Sequence, residues 1–344
     1  MRVHYHELSA HLTDIESSAS RVELLGFDGY AAREFHSDPL QQLILAARAT
    51  DRITLESRVL LAFPRSPMLV AYQSWFLQEY SGGRLRLGVG TSVKAQIESR
   101  FSSAWPAGGG GIRDYISALR TIWAAWEVGA HPDYQGKFFH CTTKDDEFRP
   151  PPIGMPMPSV MLAATGPIMC SVAGEVADGL LLPILNSRRF IEERSIPQMR
   201  EGLKRAGRDS ASLVVTSSAI VFGAKNSKAL AEARERARRE LAFFLCYSDA
   251  YGKVLEVHGW QEKHRFLRRM ADGGAPIDDL VKEVSDEMVD TFTVVALADE
   301  VGDALKERYG GVLDEIVFSL RPVDLSKDDQ DRVLAKAINI LHAV

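Results

Sequence analysis

The sequence predicts an α/β fold: a (β/α)8 TIM barrel with insertions after the fourth and seventh strands. Three observations predict it. Short apolar runs of strand character recur eight times along the 344 residues. Helical periodicity fills most of the intervals between them, as parallel βαβ units require. The length suits one barrel with additions. Eight alternating units favour a closed barrel over a doubly wound open sheet, the competing architecture. No seam divides the chain, so residues 1–344 are expected to form a single domain.

The first strand is expected at residues 2–6, with His4 and His6 on one face and Tyr5 on the other. The second, third and fourth fall at 27–31, 53–61 and 85–89. Residues 92–159 hold far more than one helix. Within 114–126, Ile116, Leu119, Ile122, Trp123 and Trp126 recur at three- and four-residue steps and make one apolar face. The four glycines at 108–111 read as a flexible loop tip. Strands five to seven are expected at 160–164, 180–183 and 213–222. Residues 224–312 carry several helical patterns and no clear strand. Asp299 is the expected N-cap of the helix VGDALKERY, which Gly310 and Gly311 close. The last strand falls at 315–320. Both long segments leave from strand C-termini, the end of a barrel where active sites lie, and loops of this length usually carry function.

Composition narrows the classes of function. Hydrophobic residues make up 46% of the chain and charged residues 25%, enough for a sizeable core. A formal net charge of -5, from 41 basic and 46 acidic residues, points to neither a nucleic-acid nor a membrane partner. Cys141, Cys170 and Cys246 are widely spaced, so no zinc or dithiol motif and no metal site is expected. The N-terminal MRVHYHELSAHL lacks an apolar signal-peptide core, and no apolar run approaches the roughly 20 residues that span a bilayer. A cytoplasmic protein is expected.

Several short motifs can carry chemistry. In TGP at 165–167, Thr165 can cap a helix beginning near Ile168. Gly166 lets a ligand approach the backbone, and Pro167 suits the first helical position. Unpaired amides at such a helix start form an anion site, although an ordinary capped helix reads the same way. In LGVGT at 87–91, Gly88 and Gly90 remove side chains where a flat ring could meet a strand, and Thr91 can hydrogen-bond beside it. REFHSDP at 33–39 ends the second strand. There His36, beside Asp38 and Glu34, can move a proton, or Ser37 or Asp38 can simply cap a helix. His6 at the end of the first strand can reach the same pocket, or can be a satisfied surface or core histidine. Arg188 and Arg189 can clamp an acidic group or start a solvated helix. Trp105, inside the first insertion, is a candidate pocket wall.

SGGRLRLGVGT at 81–91, AFPRSPM at 62–68, DYQGKFFH at 133–140 and VMLAATGPIMCSVAGEVADGLL at 160–181 resemble the bacterial luciferase-like superfamily of flavin and deazaflavin enzymes. LEVHGW at 255–260, DEMVDTF at 286–292 and KERYGG at 306–311 resemble one actinobacterial branch of it, the F420-dependent oxidoreductases. The resemblance implies hydride transfer between C5 of coenzyme F420 and a small organic or modified-peptide substrate. Two alternatives accompany it: a luciferase-like monooxygenase using FMN and oxygen, and a non-catalytic barrel subunit. It implies that Ala164, Thr165, Gly166 and Pro167 hold the cofactor phosphate. It places a non-prolyl cis peptide, backing the ring, at Ser57–Arg58–Val59 within LESRVLLAF. The family usually has Gly-Thr-small where this chain has Glu56-Ser57-Arg58, so Arg58 can instead reach a ring carbonyl or an anionic substrate. Lys94 becomes a partner for phosphate or carboxylate, although a lone loop lysine reads equally as a solvated charge, and Arg65 becomes a cofactor or substrate contact. A glutamate acid used by a related sugar-phosphate dehydrogenase would fall near Val93, and its absence argues against that activity. A homodimer through helices near the second and third strands is implied by analogy.

Overall fold

In a computed structural model, which describes residues 1–8, 11–106, 108–209, 212–247 and 249–344, the strands close on themselves. The chain contributes β1 (Arg2–His6), β2 (Gly29–Ala32), β3 (Thr54–Ser57), β4 (Leu60–Leu61) and β5 (Leu85–Gly90). A two-stranded hairpin follows, β6 (Tyr134–Gln135) and β7 (His140–Cys141). Then come β8 (Ser159–Ala163), β9 (Gly179–Leu182), β10 (Val214–Ser218), β11 (Ile220–Ala224), β12 (Thr293–Leu297), β13 (Glu315–Phe318) and β14 (Leu320–Val323). The main sheet runs β3-β2-β1-β13-β10-β9-β8-β5-β4, and β3 also pairs with β5, which closes the ring. Each pairing in it is parallel, as the βαβ reading requires. The structure is therefore a closed eight-strand (β/α)8 barrel, in which β3 and β4 together form the third stave.

The strand expected at 213–222 is two strands. β10 stays in the barrel, and β11 leaves it to make a separate parallel sheet ordered β12-β11-β14. The expected strand at 315–320 divides in the same way, with β14 in the second sheet. β12 corrects the reading of 224–312 as strandless. Its TVVAL follows the helix Asp286–Phe292 without a glycine or proline between them, and a short apolar run continuous with a helix has no periodicity of its own. The second sheet carries its own core, including Leu185, Phe190, Phe222, Leu241, Leu245 and Phe292.

Two local readings are also corrected. The glycines at 108–111 begin the helix Gly108–Glu127. A Cβ on Gly109 would stand 2.6 Å from Val172 Cγ2, and one on Gly111 would stand 2.5 Å from Pro106 Cβ. Close packing, not flexibility, accounts for small residues at both places. Asp299 lies in a short 3-10 turn, Glu300 is the N-cap of Val301–Tyr309, and neither makes a capping side-chain bond there. No helix among the described residues is long and apolar enough to cross a membrane.

Candidate active site

The interior of the barrel is ionic as well as apolar. His4, Glu56 and Glu315 are fully buried on β1, β3 and β13. Arg86 on β5 donates to Glu56 at 3.3 Å and to Glu315 at 2.5 Å, and Arg2 pairs with Glu315 from the bottom of the barrel. Burial would push the Glu56 carboxyl up, but Arg58, His4 and Arg86 outweigh it and hold that carboxyl below its usual value. The two nitrogens of His4 face different carboxylates, Glu56 at 3.9 Å and Glu315 at 3.8 Å. The three side chains lie close enough together to hold a metal ion, but Arg2, Arg58 and Arg86 already set three guanidinium groups against the two carboxylates.

Above this layer the strand ends form the C-terminal mouth. β3 and β4 are separated by a cis peptide between Arg58 and Val59, at the place where the resemblance puts one. Two glycines of β5 accommodate the break. A Cβ on Gly88 would stand 2.0 Å from Ser57 O, and one on Gly90 would stand 2.7 Å from Val59 Cγ2. Close packing against the β3–β4 break accounts for the missing side chain at both positions. Ser57 Oγ donates to Gly88 O at 2.9 Å and ties the two staves together. The Arg58 side chain turns inward. Its Nη1 donates to Glu56 at 2.7 Å, and its Nε donates across the barrel to Ser218 Oγ at 2.9 Å.

The helix Pro167–Val176 starts at the mouth immediately after β8. Gly166 is its N-cap, and Thr165 makes no capping bond, which corrects the expected cap. The first helical hydrogen bond is Cys170 N–H to Gly166 O at 3.0 Å. The amides of Ile168 and Met169 precede it and have no acceptor within the helix. A Cβ on Gly166 would meet nothing within 4 Å, so the backbone is approachable there. Ala164 is buried, with its amide on Leu181 O at 3.0 Å, so it anchors the loop.

The cluster after β2 is tied into the protein. Glu34 accepts from the Leu61 amide at 2.8 Å and from Arg65 Nη1 at 3.0 Å, while Arg65 Nη2 donates to Asp38 at 2.9 Å. Asp38 also caps the helix Pro39–Arg48 through the Leu40 amide at 2.8 Å. Burial leaves the Glu34 carboxyl above its usual value, although the Leu61 amide and Arg65 pull it down. These three residues brace the β3–β4 break against β2, and Arg65 is engaged within the protein. His36 is exposed, and its ring packs edge-on against Phe35. His6 lies on the interior face two residues beyond His4, and its Nε2 is buried with no hydrogen-bond partner among the described residues. Burial first, then the charges of Arg33, Arg58 and Arg321, push the His6 pKa down to about 3, so the ring is neutral.

The remaining predicted residues scatter. Trp105 donates to Thr91 O at 3.2 Å and packs edge-on against Phe63, which makes it a wall over the end of β5. Thr91 is half-buried beside it. Lys94 is exposed and lies 3.7 Å from Glu98. Arg188 is exposed, bonds Glu192 at 3.0 Å and donates to Gly310 O at 3.2 Å. Four residues of the mouth were not singled out in the sequence: Asn186, Ser218 and Arg321, which lie in no motif, and Arg33, which opens REFHSDP. Arg33 follows β2 by one residue, Asn186 follows β9 by four, Ser218 ends β10 and Arg321 lies in β14.

Residues 1–315 match the family model described as luciferase-like monooxygenase. A protein of Mycobacterium tuberculosis is 38% identical over 300 residues, 87% of this chain and 88% of its own. The 5,10-methylenetetrahydromethanopterin reductase of Methanopyrus kandleri is 28% identical over 284 residues, 80% of this chain and 79% of its own. Among solved structures, the coenzyme F420-dependent tetrahydromethanopterin reductase of Methanopyrus kandleri superposes with a TM-score of 0.79. Its sequence is 21% identical, with 99% of this chain and 98% of that one covered.

Proposed function

The chain belongs to the luciferase-like monooxygenase family, and from that premise we propose that it is an F420-dependent oxidoreductase acting on a small organic or modified-peptide substrate, most readily as a reductase. The observation that carries the reading is the loop Ala164–Pro167. It presents a helix start with unspent amides, beside a glycine whose missing Cβ leaves open space, at the mouth of a closed barrel. That arrangement fits a phosphate, because helix N-terminal amides and the helix dipole both favour an anion. Coenzyme F420, when bound, supplies a hydride-carrying ring carbon.

The chain's own residues provide position and a proton path. Thr165, Gly166, Ile168 and Met169 hold the phosphate end. The cis bond Arg58–Val59 and the β5 glycines set the wall of the mouth, and Trp105 and Thr91 flank it. His6, neutral and with a free Nε2, holds or moves a proton at that atom. His36 is the second proton-carrying candidate and acts only if substrate reaches the exposed loop after β2. Glu34, Asp38 and Arg65 position the wall. Lys94 and Arg188 stand at the rim, where they contact the tail of a large cofactor or substrate.

We propose that a second copy of the chain covers the groove of about 440 Å³ between the helices Pro39–Arg48 and Pro67–Tyr80. Ile44 and Phe76 are each 48% exposed on it, and Tyr80 is 57% exposed. An apolar face of this kind at this position supports a homodimer.

Titration of the purified protein with reduced F420 and with reduced FMN, followed by cofactor fluorescence, tests the reading. Saturable binding of F420 with FMN at least tenfold weaker is expected. Preferential FMN binding with oxygen uptake would make the protein a flavin monooxygenase. Binding of neither would point to a non-catalytic barrel.

A further inference from the structure

Three side chains at adjacent strand ends converge on one corner of the mouth. His6 ends β1, Arg33 follows the last residue of β2, and Arg58 follows the last residue of β3. The register keeps them level: His6 pairs with Ala31, Ala32 pairs with Ser57, and the Arg58 amide donates to Ala32 O at 2.6 Å. Each offers a buried nitrogen with no hydrogen-bond partner among the described residues: Nε2 of His6, Nε of Arg33 and Nη2 of Arg58. Arg58 is only 8% exposed. Its other nitrogens are fixed by Glu56 and Ser218, so the unpartnered edge is held in place. Arg33 is held by Leu8 O at 3.2 Å and has no carboxylate within ion-pair distance among the described residues.

The nearby carboxylates are already engaged. Glu56 bonds Arg58 and Arg86. Glu240 bonds Arg321 at 2.6 Å. Glu7 accepts from Tyr30 at 2.7 Å and from Ser18. Guanidinium nitrogens can only donate, and a buried donor left unpaired is costly. What completes this corner must bring acceptors and, beside two guanidinium groups, negative charge.

We propose that this corner receives a carboxylate of the substrate, with Arg33 and Arg58 as its donors and His6 as its third contact. The inference rests on the proposed function only for the reaction. It moves substrate recognition from Arg65 and Arg188 to the strand ends. Arg33 sets the specificity, because its charge alone lacks a paired carboxylate.

The test uses isothermal titration of acetate, benzoate and cinnamate and of their primary amides, on the full chain with and without saturating F420. At least one acid is expected to bind tenfold or more tightly than its amide, with F420 present as well as absent. Arg33→Met is expected to remove the preference while leaving the thermal unfolding midpoint near that of the wild type. If Arg33→Met does not fold, Arg33→Gln gives the same readout. Equal affinities of acids and amides, no binding of either, or a preference retained in the Arg33 variant would overturn the proposal. So would displacement of the acid by F420, which would assign the corner to oxygens of the cofactor. Failure of F420 to bind would overturn the functional reading alone, since the cofactor-free titration still decides the carboxylate site.

Discussion

Arg65 joins two chemistries that the sequence leaves apart. Its guanidinium holds Glu34 and Asp38 together, and all three side chains are largely buried. Removing one partner of such a network leaves uncompensated charge. Arg65→Met is therefore expected to lower unfolding stability by about 3 kcal/mol, read as a shift in urea midpoint. A change below about 0.5 kcal/mol would show the network to be solvated. His6 gives a pH signature. Its folded pKa of about 3 lies below the value of 6.5 for the unfolded chain. Between those values the unfolded state binds the extra proton, so stability is full above pH 6.5 and falls as pH drops towards 3. The loss is at most about 1.4 kcal/mol per pH unit. His6→Asn is expected to flatten the dependence between pH 6.5 and 4.5, where carboxylates contribute little. An unchanged slope would assign it to other groups, His4 first, whose pKa burial also lowers. At this scale the sequence supplied residue types without partners. Glu34, Asp38 and His6 were recognisable beside a strand end, and Asp38 is the helix cap that the sequence offered beside Ser37, but nothing local told that it also binds Arg65. Arg321 belongs to no motif, and Arg33 opens REFHSDP without any feature that marks it.

Elements were more legible, because periodicity is a local property. The eight barrel staves fall within a few residues of the apolar runs, and the apolar face of 114–126 lies inside the helix Gly108–Glu127. β12 and β14 were not legible as a second sheet, since each follows another element without a break in pattern. The glycines show the same limit from the other side. Gly88, Gly90 and Gly109 stand out in the sequence, but what fills the space beside each is long-range. Gly88→Ala would set a Cβ 2.0 Å from the Ser57 carbonyl, a backbone atom that cannot swing away. It is expected to cost about 1–3 kcal/mol or more and to displace the β3–β4 break. Cofactor affinity should fall with it. A Gly88→Ala protein with wild-type urea midpoint and wild-type affinity would contradict the packing account.

For the whole molecule, barrel closure follows from the count and alternation of its units, and the ring β3–β5 completes it. The proposed homodimer is a statement at the same scale. Sedimentation of the wild type should give twice the chain mass of 38.1 kDa, and Phe76→Glu on the apolar groove should return it to one. A wild-type monomer would remove the dimer and leave the mouth unaffected. The proposed activity depends on the mouth gripping a cofactor by its phosphate through the amides after Ala164. Its most direct test compares the affinity of the chain for F420 with that for the same deazaflavin core lacking the phosphate, by fluorescence titration under identical conditions. Loss of the phosphate is expected to weaken binding at least a hundredfold, and equal affinities for the two compounds would contradict the account.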